Sequence, residues 1–170
     1  MEKLPGDYIA GFVDGEGCFA LKFRRDVRRD RKNKPVYFYW DVEFAVTLKS
    51  DDKEILNKIQ NTLECGLVGN ADKQGTVRYA VNNIDDLINK IVPFFEKYRL
   101  RAKKFHDFEL WKEVVEIFKR NQRIKTNTER GKNGFQKTQW NPIDLERLRE
   151  IHEAMKQYKG GNRGNWKWLK

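Results

Sequence analysis

One acid is set apart from the other charged residues by its neighbours. Glu16 stands between Gly15 and Gly17, at the end of the run Ile9-Ala10-Gly11-Phe12-Val13-Asp14. Two adjacent lysines, Lys103 and Lys104, open a later segment of helical periodicity. Little else in the chain could do chemistry. The two cysteines, Cys18 and Cys65, lie in apolar, strand-like surroundings, which argues against a disulfide framework and a cysteine zinc site. The two histidines, His106 and His152, are too far apart in sequence for a two-histidine metal motif. Ser50, the only serine, precedes Asp51-Asp52-Lys53-Glu54 and reads as a helix cap rather than a nucleophile. No glycine-rich stretch matches a phosphate-binding loop. Carboxylates, lysines and a hard, oxygen-liganded metal remain.

The glycines themselves need a reason. Glycine costs about 1 kcal/mol per helical position relative to alanine. Ala10, Gly11 and Gly15 within one short helix therefore point to another backbone passing close by. The wider composition says what kind of partner to expect. A net charge of +10 and a pI of about 9.6 favour a polyanion, nucleic acid first and a membrane surface second. No apolar run approaches the roughly 20 residues of a membrane span, and the start has no apolar segment of signal-peptide type, so an intracellular protein is expected. A length of 170 residues fits a single domain, 1–170.

Those residues must be positioned by the elements around them. A first helix is expected over residues 7–14, with Asp7 as its cap. Its apolar face carries Ile9, Phe12 and Val13, and an adjoining face of little bulk carries Tyr8, Gly11, Phe12 and Gly15. Period-two alternation follows in Phe19-Ala20-Leu21-Lys22-Phe23-Arg24 and runs strictly from Val36 to Lys49. Between these strands lies a very basic hairpin, Arg25 to Lys34. A charge run of this kind is ordinarily a solvated turn, but its place between two strands with Tyr, Arg and Lys on their polar face favours a nucleic-acid arm.

Ser50 should cap a second helix with the stripe Ile55, Leu56, Ile59 and Leu63. A second hairpin is expected from Gly66–Asp72 and Thr76–Val81, turning near Lys73-Gln74-Gly75. A third helix follows from about Asp85, kinked or ended at Pro93. A fourth runs from about Leu100 to Lys119, with Lys103 and Lys104 in its first turn, where cations oppose the helix dipole. Residues 120–140 read as a basic loop, Asn141-Pro142-Ile143-Asp144 as a helix start, and residues 160–170 as an acid-free tail. That tail carries Arg163, Lys167, Trp166 and Trp168, which either contact DNA or dock on the core.

The run Ile9-Ala10-Gly11-Phe12-Val13-Asp14-Gly15-Glu16-Gly17 resembles the signature motif of the LAGLIDADG homing endonucleases. The α-β-β-α-β-β-α order behind it is theirs too, and the resemblance spans roughly residues 6–118. Glu43-Phe44-Ala45-Val46-Thr47 is similar to the family's second strand, and Leu100-Arg101-Ala102-Lys103-Lys104 to its pre-helix lysine segment. The resemblance implies an α+β fold: a curved, four-stranded antiparallel DNA-binding sheet in the αββαββα core, with accessory C-terminal helices and a basic tail over 119–170. It implies a site-specific, intron- or intein-associated endonuclease, active as a homodimer on a long, pseudo-palindromic double-stranded site.

One motif per chain gives one acid, so two copies would pack through Tyr8, Gly11, Phe12 and Gly15 and bring two Glu16 carboxylates together. Paired acids suit Mg2+, or another divalent ion such as Mn2+, held against phosphates. The resemblance adds the Gly15 carbonyl as a ligand and Lys103 or Lys104 as a charge-stabilising lysine. Asp14 reads as structural, bonding backbone at the tight turn. The family usually has Asp where Glu16 stands, and Leu48 and Asp52 or Lys53 fall where some relatives carry Gln and Arg.

On the platform the candidate DNA contacts are Lys22, Arg24, Arg28, Tyr37, Tyr39, Asp41, Glu43, Thr47, Asn70, Asp72, Gln74 and Arg78, with Arg163 and Lys167 in the tail. Arginine and lysine suit guanine edges, asparagine and glutamine adenine, and acids cytosine. A pure phosphate binder has no use for Asp41 and Glu43 on that face. The competing reading is a protein that only binds nucleic acid, an intron maturase or a regulator, on the same fold. An unrelated nuclease built on Asp51-Asp52-Lys53 ranks lower, because it lacks a partner acid.

Overall fold

The computed structural model describes residues 2–27, 29–30, 32–34, 36–122 and 140–157. Its elements are α1 (Gly6–Glu16), β1 (Gly17–Val27), β2 (Val36–Lys49), α2 (Lys53–Leu63), β3 (Leu67–Val68), β4 (Thr76–Val81), α3 (Ile84–Asp86), a π turn over Leu87–Ile91, α4 (Val92–Lys97), α5 (Lys104–Asn121) and α6 (Pro142–Gln157). The expected α+β architecture is present. The strict alternation from Val36 to Lys49 forms β2 over its full length. Four antiparallel strands run in the order β1-β2-β4-β3, so β2 lies inside the sheet and pairs with both β1 and β4.

Alternate residues of a strand face opposite sides, and here the two sides differ sharply. Phe19, Leu21, Trp40, Val42, Phe44, Val46, Val77, Tyr79 and Val81 are buried on the helical side. Phe19 is the hub of an aromatic cluster: its ring lies 5.2 Å from Phe44, 5.4 Å from Phe95, 5.3 Å from Phe108 and 5.1 Å from Trp111. Burying each such ring contributes about 1.5–3 kcal/mol, enough to clamp α4 and α5 onto the sheet. Farther out along the strands, Trp40 meets His152 of α6 at 5.4 Å. α4, α5 and α6 pack on this side through those rings, while Lys22, Arg24 and Arg78 on the other face stay accessible.

Several local expectations are corrected. Asp7 does not cap α1; the helix starts at Gly6 behind Pro5, and Asp7 sits in the first turn, where an acid suits the helix dipole. Ser50 makes no side-chain cap; it begins a short 3-10 turn, and its N–H is taken by the Gly75 carbonyl at 2.9 Å. β3 has only two residues, because the Asp72 carboxylate accepts from the N–H groups of Gln74 and Thr76 and from the Thr76 hydroxyl, which makes a local turn instead.

Pro93 does not end the third helical segment; it stands at the start of α4, where its missing N–H costs little, after the π turn. α5 begins at Lys104 rather than near Leu100, for a reason that belongs to the site. The basic loop over 123–139, Arg28, and the tail with Arg163, Trp166, Lys167 and Trp168 lie outside the described residues. Among the described residues, no helix is long and apolar enough to cross a membrane.

Candidate functional site

The glycines of α1 divide into two kinds. A Cβ on Gly6 would lie 2.3 Å from the Tyr98 ring, and one on Gly17 would lie 2.5 Å from the Val13 side chain. Those two positions are small because this chain's own packing demands it. Among the described residues, a Cβ on Gly11 or Gly15 would meet nothing within 4 Å. Neither glycine has a packing reason among the described residues. Both are exposed, and the same face carries Tyr8, 49% exposed and stacked on Phe12 at 6.2 Å between ring centroids. The opposite face, Ile9, Ala10 and Val13, is buried against the sheet.

At the C-terminal end of α1, the start of α5 comes back to the backbone beside Glu16. Glu16 is exposed beside the Gly15 carbonyl. The Lys104 ammonium, at the first turn of α5, donates to the Gly15 carbonyl at 2.6 Å and to the Asp14 carbonyl at 2.9 Å. These are among the last carbonyls of α1, which lack helical partners, and a cation there is favoured by the dipole of α1. The position that looked unfavourable for α5 is thus favourable for its neighbour. The two lysines also separate: Lys104 reaches these carbonyls, whereas Lys103 precedes α5 and lines an open, basic cleft with Arg99, Arg101 and His106.

Asp14 supplies the link. Its carboxylate accepts the N–H of Arg101 at 2.7 Å and that of Ala102 at 3.3 Å. It therefore bonds backbone, as expected, but in a loop almost ninety residues away rather than at its own turn. A side chain from α1 so holds the segment that leads into α5, and it fixes where α5 begins. Helical periodicity alone carries no sign of this.

The open face of the sheet carries the expected polar residues. Lys22, Arg24, Tyr39, Asp41, Glu43, Thr47 and Arg78 share it, in register Lys22↔Asp41, Arg24↔Tyr39 and Thr47↔Arg78. Arg24 pairs with Asp41 at 2.8 Å. Arg78 donates to Glu43 at 2.6 Å and to the Thr47 hydroxyl at 3.2 Å, and Lys22 pairs with the same Glu43 oxygen. Burial lowers the Lys22 pKa, and the nearby cations Arg78 and Arg24 lower it further. Glu43 is 7% exposed, so its carboxylate lies beneath the cations rather than open to a groove. Tyr39 is 45% exposed, Tyr37 is half-buried, and Asn70, Asp72 and Gln74 are exposed around the second hairpin, with Asp72 committed to its turn.

Comparison with known proteins gives one answer. Residues 9–115 match the LAGLIDADG endonuclease family. The chain is 31% identical over 121 residues to the Neurospora crassa protein named probable intron-encoded endonuclease 2, covering 69% of this chain and 25% of that one. It is 28% identical over 111 residues to homing endonuclease I-ApeII of Aeropyrum pernix, covering 64% of this chain and 60% of that one. The chain thus spans less than two thirds of the curated relatives it matches.

Among solved structures, the homing endonuclease I-TnaI superposes with a TM-score of 0.69 at 24% identity, over 99% of this chain and 95% of that one. I-SmaMI bound to cleaved DNA superposes with a TM-score of 0.68 at 22% identity, over 94% of this chain and 47% of that one. Motif, element order and fold agree: the chain belongs to the LAGLIDADG endonuclease family.

Proposed function

We propose that the chain is a metal-dependent homing endonuclease that cleaves double-stranded DNA as a pair of motif helices, each contributing one Glu16. The observation that carries this reading is the contact at the end of α1. An ammonium is held on the Gly15 carbonyl, next in sequence to the exposed Glu16, on a helix with two glycines that nothing among the described residues needs small. The relatives named intron-encoded favour an intron-borne gene.

The donor set suits a hard divalent cation. Glu16 and the Gly15 carbonyl offer oxygen only, which matches Mg2+ or Mn2+ better than a softer metal. Among the described residues, no three acids, histidines or cysteines cluster as a metal site. A second copy doubles the ligands on offer, so the residues fit a metal shared between two motif helices. When bound, such an ion neutralises phosphate charge and lowers the pKa of its water.

The rest falls to the chain's own groups. Lys104, fixed by two carbonyls, holds a positive charge where negative charge develops in phosphoryl transfer. Gly15, exposed and with no neighbour within 4 Å of a Cβ among the described residues, leaves room beside Glu16 for a phosphate oxygen. The open sheet face reads base edges in the major groove through Lys22, Arg24 and Arg78. Arg99, Arg101 and Lys103 offer positive charge to the backbone beside the cut.

The test is incubation of purified protein with a randomised plasmid library and magnesium, followed by sequencing of the ends. Paired, staggered ends at one pseudo-palindromic motif are expected. Glu16→Gln should cut about a hundred- to a thousandfold more slowly, the range for losing one transition-state-stabilising group, while specific binding persists. Cleavage at the wild-type rate in that variant refutes the assignment of Glu16. Specific binding without cleavage by the wild type supports the binding-only reading instead.

A further inference from the structure

At the centre of the open sheet face, one buried carboxylate ties two strands together through cations. Glu43 stands on β2, 7% exposed, directly opposite Ala20 of β1 in register. Its Oε1 takes the Arg78 guanidinium from β4 at 2.6 Å and also the Lys22 ammonium from β1. The cations stay accessible: the Lys22 side chain is 36% exposed and that of Arg78 44%, against 9% for Glu43. Arg78 is further steadied by the Thr47 hydroxyl at 3.2 Å. Beside this triad the Arg24–Asp41 pair repeats the motif, so charges alternate across the three strands.

That arrangement is wrong for a surface built for phosphate affinity alone. Each acid weakens attraction to a polyanion and removes one release of counterions. What a buried carboxylate gives in return is direction. Lysine and arginine side chains lose considerable rotamer entropy when ordered, and a guanidinium already held in place loses less on meeting a base. Arg78 has five N–H groups; the bonds to Glu43 and Thr47 leave others for a base edge.

We propose that Glu43 is a specificity-determining positioning residue. It touches no nucleic acid, and it holds Lys22 and Arg78 in the orientations that read two base pairs. This rests on the sheet binding DNA, as proposed above. It differs from the expectation that Glu43 itself accepts from cytosine, and the two make opposite predictions. If Glu43 is a reader, its loss relaxes one position of the target. If it is an orienter, its loss relaxes the two positions assigned to Lys22 and Arg78 and frees both cations for phosphates.

The experiment is selection of bound targets from a randomised library, without cleavage-supporting metal, for wild type, Glu43→Gln, Glu43→Ala, Lys22→Ala and Arg78→Ala. Circular dichroism and melting confirm that each variant folds. Glu43→Gln keeps the volume; Glu43→Ala also removes the acceptor. The expected result is a fall in discrimination of about tenfold at each of the two positions that Lys22→Ala and Arg78→Ala separately relax. Non-specific binding should be tighter and its salt dependence steeper by about one unit of log–log slope. In an Arg78→Ala background, Glu43→Gln should change nothing further at the Arg78 position. Relaxation at a third position only, or an unchanged profile, overturns the proposal while the DNA-binding reading stands. A wild type with no sequence preference overturns both.

Discussion

Asp14 and Lys104 show how single side chains can tie the C-terminal end of α1 to a segment far along the chain. The Asp14 carboxylate binds the N–H groups of Arg101 and Ala102, and Lys104 then reaches back to the Asp14 and Gly15 carbonyls. Removing the carboxylate frees two amides and lets the start of α5 drift. Asp14→Ala is expected to cost about 0.5–2 kcal/mol, the scale of a lost helix cap, and to slow single-turnover cleavage while leaving DNA affinity near wild type. Asp14→Asn keeps an acceptor oxygen and should recover most of the rate. A rate for Asp14→Ala equal to wild type, at equal stability, excludes this coupling. The residue types of the proposed site were already singled out by Glu16 between its glycines and by the lysine pair. Which of Lys103 and Lys104 reaches the end of α1 was not legible, because it depends on where α5 starts, and Asp14, a side chain of another helix, holds that segment. Glu43 was placed on the correct face by alternation, yet its burial depends on cations arriving from β1 and β4.

Among the elements, strands proved more readable than helix ends. Fourteen residues of alternation specify β2 because one face must be buried, and a slip of one residue would expose Trp40, Val42, Phe44 and Val46 together. Ser50, by contrast, has a strong local capping signal that goes unused: a 3-10 turn over Ser50–Asp52 intervenes, and α2 starts only at Lys53. The accessory helix α6 is attached by charge as well as by Leu148, Ile151 and Met155. The Asp144 carboxylate accepts from Arg120 Nε at 3.0 Å and from Asn121 at 2.6 Å, and the Arg120 bonds followed by that of Asn121 hold its pKa down. Arg147 does the same to Glu113. A carboxylate whose pKa is lower folded than unfolded stabilises above its unfolded value, about 4, and that contribution is lost as pH falls through the folded value. Asp144→Asn should therefore lower Tm by a few degrees at pH 7, as about 1 kcal/mol does in a chain of this size, and the gap to wild type should narrow as pH falls below the unfolded value. A gap that stays constant with pH, measured in parallel melts, removes the ionic role of Asp144.

At the scale of the whole molecule, the open question is what lies against α1. One chain offers one Glu16, and a methyl group placed on Gly11 or Gly15 would find nothing within 4 Å among the described residues. Glycine inside a helix is a local defect, so a monomer would be better off with alanine at both places. Gly11→Ala and Gly15→Ala should each raise the stability of the isolated chain by about 0.5–1 kcal/mol, since the added Cβ has room and the backbone is helical. If a second motif helix crosses there, the same methyl groups hold the two backbones apart, as bulk does wherever helices meet through small residues. The double variant is then expected to melt higher at low concentration, to sediment as a monomer where the wild type pairs on DNA, and to lose cleavage with each half-site still recognised. The opposite signs of the two effects make the test severe. A variant that is both more stable and fully active would show that α1 meets no partner, and that Glu16 acts without its symmetry mate.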